Sequence, residues 1–328
     1  MRKILVTGGS GFIGKVLINK LVNEGCFIRA TFSGSKDIFQ KKTHANLEWV
    51  KHDLITDDLN HDTLLSGMDI VIHLAGHAHI SHVDDRTIQS AREININGTS
   101  RLASLAVKSG VRKFVFISTV KVHGEKTGAN HDGTMQRFSE DHVPRPQDAY
   151  AASKLEAEQE IKMIFRNTPV NYTIIRPPLV YGPGVKANFL KLIDIVSKGF
   201  PLPFASVRNL RSMINVNNLC QAISCIIEKA EISANQTYLV SDIDISTPDL
   251  INTISEQFNL KAKLFPCPLP LLKIAASLTG YRSVIDRLTE SLLVDCSKIR
   301  HEVGWTPEMD FRNSLIDTVA WYKSSQNK

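Results

Sequence analysis

The sequence predicts an α/β fold: a doubly wound parallel sheet over residues 1–177, followed by a smaller, mixed lobe over residues 178–328. Three observations carry this reading. Short apolar runs without polar alternation, such as residues 3–7 and 70–74, read as strands buried on both faces. Helical patterns separate these runs, which is the alternation that builds βαβ units. Beyond Pro177-Pro178 the segments shorten and proline recurs, from Pro183 to Pro270, as in a lobe that closes over a site.

Along the chain, strands are expected at residues 3–7, 27–32, 47–50 and 70–74, with a helix opening near residue 12 and another over about 87–109. Residues 114–117 give the next strand, 150–166 a helix and 172–175 a further strand. Residues 216–229 and 236–240 carry patterns suited to rejoining the main sheet, so the boundary near 177 is soft.

The first strand runs directly into Gly8-Gly9-Ser10-Gly11-Phe12-Ile13-Gly14. Strand, glycine turn and helix at this spacing form a dinucleotide site. Gly8 permits the tight turn, Gly11 lets backbone approach a pyrophosphate, and Gly14 lets the helix pack closely. The first N–H groups and the positive dipole end of the helix then face the phosphates, as in a Rossmann-type sheet.

The composition, 43% apolar and 22% charged, is that of an ordinary globular chain and excludes disordered and collagen-like classes. A net charge of +6 suits an anionic substrate. The basic clusters at Lys41-Lys42 and residues 208–211 are too short to track nucleic acid, which is not an expected partner. Five dispersed cysteines without a CxxC pair read as reduced thiols. The chain opens on a strand rather than a leader, and its most lipid-like stretch, 269–278, is interrupted by Pro270 and Lys273. That stretch is too short to span a bilayer, so a cytoplasmic protein without membrane insertion is expected, with 269–278 a core or interface helix.

Tyr150-Ala151-Ala152-Ser153-Lys154 opens a helix, and the i, i+4 spacing puts phenol and ammonium on one face. An unperturbed tyrosine titrates near pH 10, so a base at pH 7 needs a downward shift of about three units, roughly 4 kcal/mol. The Lys154 cation and a positively charged nicotinamide are expected to supply it. The spacing alone is common, and its weight comes from the motifs around it.

Those motifs are the Gly8/Gly11/Gly14 loop, Asp53-Leu54, Leu74-Ala75-Gly76, Asn95 before Gly98-Thr99, Ser118-Thr119, Tyr150/Lys154, Arg176-Pro177-Pro178 and Val303-Gly304-Trp305. In this order they resemble the extended short-chain dehydrogenase/reductases, specifically the NAD-dependent epimerase/dehydratase family that modifies nucleotide sugars. The resemblance implies that Gly8, Gly11, Phe12, Ile13 and Gly14 line the pyrophosphate and that Asp53 and Leu54 sit near adenine. It implies that Leu74, Ala75, Gly76, Asn95 and Pro177 back the cofactor and that Lys154 also holds the nicotinamide ribose. Thr119 would hydrogen-bond the reacting sugar oxygen, and Tyr150 would exchange a proton with it while hydride moves. Asn188 and Arg211 match positions that usually contact the nucleotide diphosphate, Arg287 and Asp295 are secondary candidates for that surface, and Lys121 joins them on the substrate side. A homodimer formed by two helices per subunit is the family habit.

Two departures narrow the expectation. Dehydratases of the family resemble Thr-Asp-Glu where this chain reads Thr119-Val120-Lys121, so the proton-donating acid is missing and dehydration is not expected. NAD-preferring members end the second strand with an acid for the adenosine 2′-hydroxyl. Here Thr31-Phe32-Ser33-Gly34-Ser35-Lys36 has no carboxylate until Asp37, and Ser33 and Lys36 suit a 2′-phosphate, tilting the cofactor toward NADP(H) over NAD. The stretches 118–125 and 176–189 resemble a bacterial O-antigen subgroup of 4-ketoreductases and UDP-sugar 4-epimerases. Reduction of a UDP-4-keto-6-deoxy-N-acetylhexosamine is therefore the leading expectation. Epimerisation with retained NAD is the alternative, and a non-catalytic dinucleotide sensor, which would not need both Tyr150 and Lys154, is the reading of another class. His73, His77, His79 and His82 match no metal-ligand spacing, so no metal is expected, and His79 is the candidate for substrate contact.

Overall fold

The computed structural model describes residues 1–33, 44–53, 64–76, 89, 92–130 and 132–326. Seven parallel strands form the main sheet in the order β3-β2-β1-β4-β5-β6-β9. They are β1 Lys3–Thr7, β2 Phe27–Phe32, β3 Leu47–Lys51, β4 Ile70–His73, β5 Lys113–Ile117, β6 Asn171–Arg176 and β9 Gln236–Leu239. The order reverses between β1 and β4, so the crevice for a ligand opens there, at the carboxyl ends of the strands.

Side-chain alternation along the buried strands sends residues to two separate cores. Ile4, Val6, Ile28 and Ile72 meet Leu17 and Leu21 of helix α1 (Phe12–Asn23) on one face. Leu5, Val71, Phe114 and Phe116 meet α2 (Thr99–Lys108) and α3 (Ala149–Ile164) on the other. Both faces are thus covered, as the apolar strands require. The expected helix over 87–109 runs through 92–108 where it is described, with a π-helical turn, Glu93–Gly98, leading into α2. There the Thr99 hydroxyl donates to the Asn95 carbonyl at 2.6 Å.

The smaller sheet is β10-β8-β7, with β7 Leu179–Tyr181 parallel to β8 Arg211–Asn215 and β10 Ile243–Ile245 antiparallel to it. Its core joins Tyr181, Phe189 and Met213 to α4 (Ala187–Ser197), α6 (Thr247–Gln257) and the C-terminal helix Phe311–Gln326. Between the two halves, α5 (Val216–Glu228) packs with α1, and β9 pairs with β6 in the main sheet. Phe12 packs against both cores, and its ring lies 3.4 Å from where a Cβ on Gly184 would stand. The first residue of the glycine-loop helix therefore also fastens the lobe over it.

Candidate active site

The glycine turn after β1 is shaped by close approach. Gly8 has φ +68°, and a Cβ there would lie 2.8 Å from the Ala75 amide nitrogen at the end of β4. A Cβ on Gly14 would lie 2.5 Å from the Gly8 carbonyl oxygen, so only glycine lets α1 sit this close. Gly11 differs: it is exposed, has φ −72°, and its added Cβ would meet only the Gly8 oxygen at 3.1 Å. No side chain caps α1 and no acid occupies its first turn, leaving its positive end open to an anion. Gly9, unremarked in the sequence, is pressed against Ala30, Ile18 and Trp49.

These contacts separate two substitutions. Gly14→Ala is expected to destabilise the fold by about 1–3 kcal/mol through overpacking. Gly11→Ala should leave the thermal midpoint near that of the parent while weakening dinucleotide binding, because its methyl stands where the backbone meets phosphate. Thermal melts and titration calorimetry with NAD check both; equal melting temperatures for the two variants would contradict the assignment.

A directed hydrogen-bond chain fixes the end of β4. The Ala75 N–H points to the Thr7 hydroxyl at 3.4 Å, which lies 2.6 Å from His73 Nδ1; His73 Nε2 lies 2.9 Å from the Thr99 hydroxyl. Thr99 spends its proton on the Asn95 carbonyl, so His73 donates from Nε2 and accepts at Nδ1. Burial, and then the Lys154 charge, push His73 down to about 3, keeping it neutral. The Asn95 side chain in turn donates to Ser153, whose hydroxyl donates to the Tyr150 carbonyl. The loop after β4 is thus coupled to the first turn of α3.

On α3, Lys154 is buried with its Nζ 3.8 Å above the centre of the Phe116 ring. Loss of hydration brings it down to about 7, against the opposing pull of Glu158. A Cβ on Gly76 would lie 3.0 Å from the Asn95 amide oxygen and 3.8 Å from Lys154 Nζ, so Gly76 stands close to both. Tyr150 is half-buried, and its phenol is pushed up to about 12, first by burial and then by the Asp148 carboxylate. The downward shift expected from the sequence was tied to Lys154 together with a nicotinamide cation; burial and the Asp148 carboxylate act in the other direction. Thr119 is buried at the end of β5, where its hydroxyl accepts the Lys121 N–H at 3.3 Å and keeps its own proton to donate.

Asp148 is a residue the sequence reading missed. One of its oxygens caps α3 by accepting the Ala151 N–H at 2.7 Å, and the other is paired with Lys121. Its signal was legible as a helix-capping residue just before Tyr150. Lys121 also pairs with Glu125 at 2.6 Å, and its Nζ lies 5.9 Å from the centre of the Tyr150 ring.

Behind the site, Arg176 at the end of β6 makes a two-pronged pair with Glu158 of α3, at 3.0 and 2.5 Å, and donates to His123 Nε2 at 2.8 Å. His123, buried and beside the Arg176 charge, is pushed down to about 3. The unfolded chain binds a proton at this position below about pH 6.5 and the folded chain does not, so His123 lowers stability as pH falls from about 6.5 toward 3. The slope is about 1.4 kcal/mol per pH unit. His123→Gln keeps an acceptor for Arg176 without titrating. Denaturant unfolding between pH 6 and 4.5 should show a slope shallower by that amount in the variant; parallel slopes would contradict a neutral His123.

On the lobe side, the Arg211 guanidinium donates to the Glu290 carbonyl at 3.1 Å. Burial first, and then Arg287, push Arg211 down to about 10, against the opposing pull of Glu125 and Glu290. Lys121, Glu125, Arg211 and Arg287 therefore form one charged series leading from Tyr150 into the lobe. Asn188 stands exposed in the first turn of α4, and no hydrogen bond or ion pair joins it to that series among the described residues. Asp53 follows β3 beside the end of β2, where the His52 N–H meets the Phe32 carbonyl, and Ser33 is exposed at the end of β2. Pro177 is buried and its carbonyl accepts the Val120 N–H at 2.9 Å. Lys36, Leu54 and His79 lie outside the described residues.

The open first turn of α1, the exposed Gly11 and the Lys154–Asn95–Gly76 cluster fit a dinucleotide laid across the β1/β4 crevice. Among the described residues, no group of histidine, cysteine and carboxylate ligands is placed to hold a metal ion.

Known proteins resemble the chain over its full length. It is 34% identical to the UDP-glucose 4-epimerase of Vibrio cholerae, covering 100% of this chain and 97% of that protein. It is 26% identical to the N-acetyl-alpha-D-glucosaminyl-diphospho-ditrans,octacis-undecaprenol 4-epimerase of Escherichia coli O157:H7, covering 97% and 94%. The fold matches the UDP-glucose 4-epimerase of Thermotoga maritima solved with UDP-glucose (TM-score 0.78, 21% identity, 99% of each chain). It also matches the UDP-glucuronic acid 4-epimerase of Bacillus cereus solved with NAD (TM-score 0.77, 21% identity, 98% and 99%). A family model matches residues 4–241, from β1 to just past β9, and the chain belongs to the NAD dependent epimerase/dehydratase family.

Proposed function

We propose that the protein is a nucleotide-sugar 4-epimerase that moves hydride at C4 of a UDP-hexose or UDP-N-acetylhexosamine. The observation that supports this reading is Tyr150 and Lys154 one turn apart on α3, with Thr119 at the end of β5 accepting the N–H of Lys121, whose Nζ lies 5.9 Å from the Tyr150 ring, beside a glycine-built crevice in a chain whose relatives include two 4-epimerases. Bound NAD would supply the hydride acceptor and, in the return step, the donor.

The chain's own residues supply the rest. Thr119, which accepts the Lys121 N–H on one lone pair and keeps its proton, donates a hydrogen bond to the C4 oxygen and orients it. Tyr150 takes the proton from that oxygen as hydride leaves C4, which requires its phenolate, and gives it back as hydride returns; Lys154 and a bound nicotinamide cation would favour that phenolate against the upward push of burial and Asp148. Lys154 and Asn95 hold the nicotinamide ribose. Arg211 and Arg287 crowd like charge together, a cost that a sugar diphosphate relieves.

Reduction of a 4-keto sugar with exchangeable NADPH is the second reading, favoured by Ser33 standing where an acid for the 2′-hydroxyl is usual. Incubation with UDP-glucose and UDP-N-acetylglucosamine, followed by chromatography of the products, tests the first. Conversion to the 4-epimer without added cofactor is expected. No epimer, together with stoichiometric NADPH oxidation by a UDP-4-keto-6-deoxy-N-acetylhexosamine, would replace the first reading with the second.

A further inference from the structure

In the lobe, helix α7 (Leu269–Leu278) turns through Thr279-Gly280 into helix α8 (Arg282–Thr289). Leu269, Leu272 and Ala276 face the lobe core. At the same i, i+3, i+7 spacing on the outer side stand Leu271, Ile274 and Leu278, which are 59%, 57% and 85% exposed. Phe265 and Tyr281 extend this apolar edge at either end. A surface helix ordinarily turns charge outward, and one that is apolar all round is ordinarily covered.

The charge around the edge says by what. Between residues 261 and 287 the chain carries Lys261, Lys263, Lys273, Arg282 and Arg287 against one acid, Asp286. Asp286 is taken by Lys273 and Arg282, Lys273 also pairs with Glu290, and Arg287 stands beside Arg211, whereas Lys261 and Lys263 form no salt bridge with a described residue. A second copy docking by twofold symmetry through this edge would set the same cations against each other. An anionic surface with an apolar interior has no such conflict.

We propose that the α7–α8 hairpin is a docking surface for an anionic phospholipid bilayer, with Leu271, Ile274, Leu278 and Tyr281 at the headgroup boundary and the unpaired Lys261 and Lys263 toward lipid phosphates. The protein lies on the membrane without crossing it; among the described residues no helix is long and apolar enough to span one.

Co-sedimentation with vesicles of phosphatidylcholine and phosphatidylglycerol (3:1), and of phosphatidylcholine alone, tests this. The full-length protein should pellet with the anionic vesicles and be released by salt. Lys261→Gln with Lys263→Gln should weaken binding about fivefold per cation. Leu271→Gln with Leu278→Gln, which leaves the charge unchanged, should weaken it at least fivefold while melting temperature and turnover on soluble substrate stay at parent values. Equal binding by parent and leucine variant would reduce the interaction to non-specific charge and overturn the proposal. So would absence of vesicle binding, including the case in which sedimentation equilibrium shows the leucine variant dissociating a dimer.

Discussion

Replacing Tyr150 by phenylalanine is expected to lower turnover by about 10²–10⁴-fold, the usual contribution of a positioned proton donor. The ring is half-buried and its packing needs no hydroxyl, so the variant should fold, melt and bind dinucleotide as the parent does. On the proposed reading, removing the oxygen leaves Thr119 alone facing the C4 oxygen, and a threonine hydroxyl cannot take up the proton that must leave. Steady-state kinetics on a UDP-sugar, beside calorimetry with NAD, separates the two effects. A Tyr150→Phe enzyme with parental turnover would remove Tyr150 from the chemistry.

The second large effect is structural. Glu158→Ala strands the Arg176 guanidinium, whose side chain is 4% exposed, next to a histidine that does not accept charge. Breaking a buried pair from one side costs about 3–5 kcal/mol, because the remaining charge has lost both water and partner. The pair ties α3 to the end of β6, and the Pro177 carbonyl that follows holds the turn after Thr119. The site should therefore loosen with the fold. Glu158 also supports the Lys154 charge, so its loss should depress Lys154 further. Urea unfolding of Glu158→Ala and Glu158→Gln measures this; a change under about 1 kcal/mol in the alanine variant would contradict a buried, fully used ion pair.

Much of this arrangement was legible because it is local. The buried runs gave strands within a residue or two, since a strand covered on both faces must be apolar throughout. The glycine loop was legible because its spacing states a backbone requirement, now visible as the 2.5 Å approach at Gly14. Tyr150 and Lys154 were legible as helical neighbours. What escaped depends on partners far along the chain: His73 between Thr7 and Thr99, Glu158 against Arg176, and Lys121 against Asp148. No local pattern announces such pairs. The upward push on Tyr150 has a different origin: burial, which a local pattern does not state, adds to the carboxylate of the nearby cap Asp148.

The account turns on hydride leaving and returning at one sugar carbon. UDP-N-acetylglucosamine carrying deuterium at C4 tests this most directly, with the product followed by proton NMR. The account predicts a 4-epimer that keeps its deuterium at C4, delivered back from the nicotinamide. A 4-epimer in which the label has exchanged with water would contradict it, since the hydrogen would then have left as a proton and not as hydride.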